Sequence, residues 1–404
     1  MTPQTEAVPY LDIASPDFAM SSEAVRDARE RSWYAETNYG IGVLRYKEVS
    51  ELLMHPSLNQ GSAKWPEHHG VHSGIFYDWW EKNLLVLEGT EHDRIRHLLN
   101  PAFSPGVARR LGPEFEMIAN ELIAGMKEKH ARGEQVEFVA DFSEPFATRA
   151  LCALMGLSHE HWPFIASRAN TIGHALSVTI KEDIERIDRA VQELYDFVEK
   201  LIEERRENPG DDVISNLLDV SSKDGDTLNG VELRNAIVLM LFGGMDTTRN
   251  QLGLILQTFM RHPEQWELLA ADPKLTRPAL EEGLRVNPST RWVTREANED
   301  FEFNGLSIKK GTTVHLFTMS SGTDPEAYPD PDIDIQVPSR KQHHTFGGGI
   351  HKCLGHYIAR ADMSVALPLL AQNFTDISCP GGDEWLPDSG NHGPVRLPID
   401  FTVR

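Results

Sequence analysis

One stretch near the C-terminus constrains this chain more than any other: Phe346-Gly347-Gly348-Gly349-Ile350-His351-Lys352-Cys353-Leu354-Gly355. Three consecutive glycines suit a backbone that turns tightly or lets a large flat ligand come close. The apolar run from Leu354 to Leu370 predicts a helix with Cys353 at its N-terminus. Unpaired N–H groups and the positive end of the helix dipole favour a thiolate there. A thiolate beside a glycine platform is what an iron–thiolate site needs, since hydrogen bonds to sulfur tune the density it donates. Taken alone, a single cysteine is more often a buried, inert packing residue.

Composition narrows the rest. With 404 residues, 40% hydrophobic and 25% charged, the chain is globular and can bury a large core. A net charge of −22 argues against nucleic acid and anionic membrane as partners. No run of about 20 apolar residues is available to span a bilayer. Met1 to Asp12 lacks the basic and apolar regions of a signal peptide. Cys152, Cys353 and Cys379 are too few and too odd in number for a disulfide framework, which suits a reducing cytoplasm. The adjacent pairs His68-His69 and His343-His344 read as solvent-facing rather than metal-binding.

A second strong feature is the apolar run beginning at Val231 and continuing to about Arg261, read as one helix through the middle of the molecule. Gly243-Gly244-Met245-Asp246-Thr247-Thr248 interrupts it. Two glycines weaken a helix by about 1 kcal/mol each relative to alanine. Thr247 can bond the Gly243 carbonyl and loosen the ladder further. Earlier in the chain, His92 and Arg96 lie four apart on one face of a helix that starts near Thr90, a spacing suited to a carboxylate. Residues 57–86 read as a long loop carrying Phe76 and Trp79, either plugging the core or covering an apolar pocket. Glu282 and Arg285 are spaced to pair on a helix, with Arg340 as a candidate third partner. Phe301–Ile308 reads as a hairpin about Asn304-Gly305, and Ser389–Gly393 as a turn reaching toward the pocket.

The cysteine stretch fits Phe-Gly-x-Gly-x-His-x-Cys-x-Gly at every defining position and resembles the haem-ligand loop of the cytochrome P450 family. Gly243-Gly244-Met245-Asp246-Thr247-Thr248 resembles that family's oxygen-binding motif, with glycine where alanine is commoner. Glu282-x-x-Arg285 resembles its structural pair. One departure is Asp332-Ile333-Asp334, where an aromatic-Asp step is usual. The motifs run in family order over nearly the whole chain, as in the bacterial, soluble, ferredoxin-dependent class.

The resemblance implies a single domain over residues 1–404, mainly α with a small β lobe, with haem b between the central long helix and the cysteine helix. It implies Cys353 as iron ligand, propionates held by His92, Arg96, Arg295 and His351, and haem contacts from Phe346, Gly347 and Gly243. Thr247 would hold oxygen and an ordered water, and Asp246 would relay protons. Phe76, Trp79, Leu239, Val293 and Thr294 would line the substrate pocket. Glu282 and Arg285 would be structural. The implied activity is insertion of one oxygen atom from O₂ into a small or mid-sized apolar substrate, by a cytoplasmic monomer. Electrons would come from a [2Fe–2S] or similar ferredoxin and its NAD(P)H reductase, since no residues remain for an appended redox module. The ferredoxin would dock on Arg94, Arg109, Arg110, Lys352 and Arg360. An H₂O₂-driven peroxygenase, a haem sensor or carrier, and a haem-free helical interaction protein are the alternatives.

Overall fold

The computed structural model describes residues 7–176, 180–223, 228–337 and 339–404. The first six residues, part of the N-terminal stretch read above for a signal peptide, lie outside this set.

Helices dominate, and the site is framed by three helical segments, the first of them broken in two. The run starting at Val231 is not one helix but two, Gly230–Gly243 and Asp246–Arg261. Asn229 opens the first with a capping box: its side chain accepts from Val231 N and Glu232 N at 3.0 Å while Glu232 reaches back to Asn229 N. Leu233, Ile237, Val238, Met240 and Leu241 are buried on every side, as expected of a helix that runs through a core rather than over it. The cysteine helix spans His356–Asn373 and packs along the long helix Pro105–Ala131. The third, Thr276–Val286, carries Glu282. It lies against Asp246–Arg261 so closely that a Cβ on Gly283 would sit 2.7 Å from Ile255 Cγ1.

The main sheet has six strands, in the order Tyr10–Leu11, Tyr34–Thr37, Gly40–Val43, Thr313–Phe317, Trp292–Ala297 and Leu58–Gln60. Gly40–Val43 is the second arm of a hairpin with Tyr34–Thr37. Gly40 makes the turn possible at φ +117°, where a Cβ would meet the Thr313 carbonyl oxygen at 2.1 Å. Gly40–Val43 then pairs parallel to Thr313–Phe317, Ile41 opposite Val314. Asn304 and Gly305 adopt positive φ, 46° and 82°, in the predicted Asn-Gly hairpin.

Residues 57–86 are not a loop. They hold the strand Leu58–Gln60 and the short helices Trp65–His68 and Ile75–Trp80. The aromatic spacing carries too little periodicity to reveal helices of four and six residues.

Candidate active site

At the break in the central run, the backbone ladder closes with Gly244 N to Met240 O at 3.0 Å and restarts with Arg249 N to Met245 O at 3.0 Å. The Thr247 hydroxyl donates to the Gly243 carbonyl at 3.2 Å, as its spacing predicts. Gly243, Gly244 and Thr247 are exposed although Leu241, Phe242, Met245 and Thr248 around them are buried. One face of the break is therefore left uncovered by the rest of the described chain. Nothing lies within 4 Å of where a Gly243 Cβ would be.

The glycine loop turns as its composition requires. Gly347 and Gly349 have φ of +65° and +68°. Gly347 N donates to His344 O at 2.8 Å and Cys353 N to Phe346 O at 2.9 Å. Cys353 does not begin the helix; Leu354 and Gly355 form a turn first, and the helix starts at His356. The sulfur still receives the Gly355 N–H, but burial pushes the thiol up more than that donor and the charges of Arg96, Arg360 and Lys352 pull it down. The side chain is nevertheless open to solvent-sized space. Arg96, Asn100, Phe103 and Tyr357 share with it a cavity of about 230 Å³. Without a metal the residue is a thiol; a bound cation would deprotonate it.

The expected carboxylate-binding residues converge. Arg96 donates to the Lys352 carbonyl. Arg295 reaches Gly348 O at 3.4 Å and Gln60 Oε1 at 3.5 Å, and burial lowers its pKa to about 10. The His92 and His351 rings stand 4.5 Å apart. His92 is fully buried, with Nδ1 3.0 Å from Asp93 and Nε2 without a partner. Glu88 is the member that sequence reasoning missed. Its carboxylate meets His351 Nε2 at 3.0 Å and accepts from Gln60 N at 2.5 Å. Four residues before His92, it could have been found by the same helical spacing.

Asp246 is buried and fully engaged. Arg249 Nη2 donates to Oδ1 at 2.7 Å, while Asn250 and Asn391 donate to Oδ2 at 3.3 and 2.6 Å. The turn around Ser389–Gly393 thus does reach the central helix, through Asn391.

The structural pair is present with its third member. Arg285 clasps Glu282 with two bonds of 2.7 Å and donates to the carbonyls of Gly322, Pro331 and Asp332. Arg340 Nε lies 3.1 Å from Glu282. Asp334 N also donates to Glu282, at 3.1 Å, so the Asp332-Ile333-Asp334 departure still docks on the pair.

Beside it is a second network. Glu281 receives two bonds from Arg360, 2.6 and 3.0 Å, and stands 2.9 Å from His343 Nε2. His343 and His344 are thus buried, not solvent-facing; His344 sits between Ser50 and Ser321. Burial pushes the Glu281 carboxyl up, but His343 and Arg360 hold it at about 2 against an ordinary 4.5. A lowered folded value stabilises the fold above the unfolded value, and the gain is lost as pH falls toward 2. The shift corresponds to about 3 kcal/mol. Glu281→Gln is expected to lose stability of that order at pH 7 and to flatten the acid limb of urea denaturation below about pH 5. An acid limb as steep as that of the parent chain would contradict this.

Other expectations are corrected. Phe76 and Trp79 are fully exposed to neither solvent nor cavity: each has 0% accessible surface and packs in the core, Trp79 against Phe242. Val293 and Thr294 cannot share a face, because successive strand residues alternate. Val293 is half-buried, 3.9 Å from where a Gly347 Cβ would be, whereas Thr294 meets His315 Nδ1 at 3.3 Å. Leu239 is half-buried, one helical turn before Gly243. Of the proposed docking cations, Arg94 pairs with Glu232, Arg110 with Asp211 and Arg360 with Glu281. Those three are ion-paired within the chain.

Among the described residues, no helix is long and apolar enough to cross a membrane.

Residues 164–403 match the family model for cytochrome P450. The chain is 32% identical over 402 residues to luteothin monooxygenase of Streptomyces thioluteus, covering 99% of this chain and 97% of that one. It is 30% identical over 329 residues to the polyketide biosynthesis cytochrome P450 PksS of Bacillus subtilis, covering 80% and 79%. Among solved structures, CalO2 superposes with a TM-score of 0.85 at 26% identity, over 96% of this chain and 99% of that one. CxnD, described as forming a C–S bond in chuangxinmycin biosynthesis, gives 0.84 at 25% identity, over 97% of each.

Proposed function

We propose, from the premise that the chain belongs to the cytochrome P450 family and is a P450 monooxygenase, that Cys353 binds haem iron and that one oxygen atom from O₂ enters a small or mid-sized apolar substrate. The observation that carries this reading is the pair of uncovered surfaces, Gly243 and Thr247 on one element and Cys353 on the other. We take them as two walls of one haem cavity.

The residues fit haem on three counts. The missing Cβ of Gly243 leaves room for a flat ring. Cys353 offers a soft ligand with a backbone donor already on sulfur. His92 Nε2 is buried and unpaired; a propionate beside it would favour the imidazolium, whose Nε2–H donates to the propionate while Nδ1–H stays on Asp93, with Arg96, Arg295 and His351 around it. We assign haem b, because nothing beyond these side chains is needed to hold it. Bound haem supplies O₂ binding and its reductive activation.

The chain's own residues do the rest. Across the loosened turn the Thr247 hydroxyl donates to the Gly243 carbonyl, which leaves the hydroxyl's lone pairs to accept from a bound oxygen or a water. Asp246, on the next residue, can pass a proton toward that hydroxyl and be refilled from solvent. Aliphatic Leu239 and Val293 keep the cavity apolar. Electrons come, on this reading, from a ferredoxin and its NAD(P)H reductase, with Lys352 and Arg109 as the remaining docking cations. The sparse, unpaired cysteines support a cytoplasmic site of action, and a monomer carries every residue invoked.

Thr247→Ala is expected to lower product formed per NAD(P)H by about 10²-fold, the scale of one positioned proton donor. Substrate binding, read from the Soret shift, should be unaffected. Full coupling in the variant would instead support direct use of H₂O₂.

A further inference from the structure

We propose that Asn391 is a positioning residue that restrains Asp246, so that the C-terminal turn carrying it sets how readily the carboxylate serves the Thr247 side. The inference rests on the proton-relay reading of Asp246 given above.

Successive helical residues point about 100° apart, so Asp246 and Thr247 face different ways. Both carboxylate oxygens are occupied where they stand: Oδ1 by Arg249, Oδ2 by Asn391 and Asn250. The carboxylate reaches the Thr247 side only by giving up some of these bonds. Arg249 and Asn250 belong to the same helix and move with it, and Arg249 is tied further to Asn170 Oδ1 at 3.0 Å and Glu144 Oε2 at 3.4 Å. Of the three donors, Asn391 alone comes from another segment, and its bond, at 2.6 Å, is the shortest.

That segment is seated on a wall of the cavity. Thr290 and Asn391 form an isolated bridge, Arg291 N donates to Gly390 O at 3.0 Å, and His392 N to Ser289 O at 2.8 Å. Residues 289–291 lead directly into Trp292–Ala297, the strand that carries Val293 and Arg295. A substrate that displaces this strand therefore displaces Asn391. The amide's own acceptor, Asn391 Oδ1, is buried and without a partner. Among the described residues the amide therefore bonds through its donor, and the donor's partner is Asp246.

The test uses the holoenzyme, supplied with electrons by a plant-type [2Fe–2S] ferredoxin and its reductase, and reads the solvent isotope effect on O₂ consumption. Asn391→Ala and the similarly sized Asn391→Leu are expected to reduce that effect about twofold, because a freer carboxylate makes proton supply less limiting, and to do nothing further in an Asp246→Ala background. The CO-difference spectrum and thermal midpoint serve as controls for folding. An isotope effect that is unchanged or larger in both variants, or that changes equally with and without Asp246, overturns the inference. If Asp246→Ala alone matches the parent enzyme, the relay reading fails, a pattern distinct from the other two.

Discussion

Cys353→Ala is expected to give a protein whose reduced, CO-treated form lacks the far-red-displaced Soret band and whose monooxygenase activity is gone. The loss should exceed the roughly 100-fold that removing an outer-shell partner costs, because the ligand itself is removed. The helix after it should survive. Its start is set by the Gly355 turn, and its buried face, Ile358, Met363, Leu367 and Leu370, does not involve the sulfur. The measurement is therefore a pair: the CO-difference spectrum and far-ultraviolet circular dichroism. A variant that keeps both fold and displaced band would mean another ligand holds the iron.

Arg285→Leu is expected to be the most destabilising single change, at about 3–5 kcal/mol, the cost of stranding one member of a buried ion pair. Arg285 is 1% exposed, and its guanidinium ties Glu282 to three carbonyls in two other segments. Leucine leaves those carbonyls and the Glu282 carboxylate facing a hole, with only Arg340 and the Asp334 amide remaining. Lysine should rescue little, since a point charge cannot replace a fork that serves both carboxylate oxygens. Urea denaturation and haem content per chain report the effect. A midpoint near that of the parent chain would show that the network is dispensable.

The cysteine loop was legible because its constraints are local. Glycines at positive φ, a histidine and a cysteine at fixed spacing leave few ways to fold. The break at Gly243 was equally readable, since two glycines and a threonine act on the ladder within one turn. What could not be read is what the chain brings together from far away. Asn391 sits in a polar turn like many others, and only tertiary packing places it on Asp246. The roles given to Phe76 and Trp79 failed for a related reason. An aromatic run looks the same whether it covers a pocket or fills a core, and here the core took both. Thr294 failed on a simpler ground, the alternation of a strand, which was already available from the sequence.

The parallel pairing of Ile41 with Val314 bears on how the protein is made. The N-terminal hairpin leaves the ribosome early, but its neighbour in the sheet is synthesised only after the central helices. Until then the Gly40–Val43 edge is an unpaired template for other chains. Expression at lower temperature, or with chaperones that shield nascent strands, is the physical remedy for aggregation that starts there.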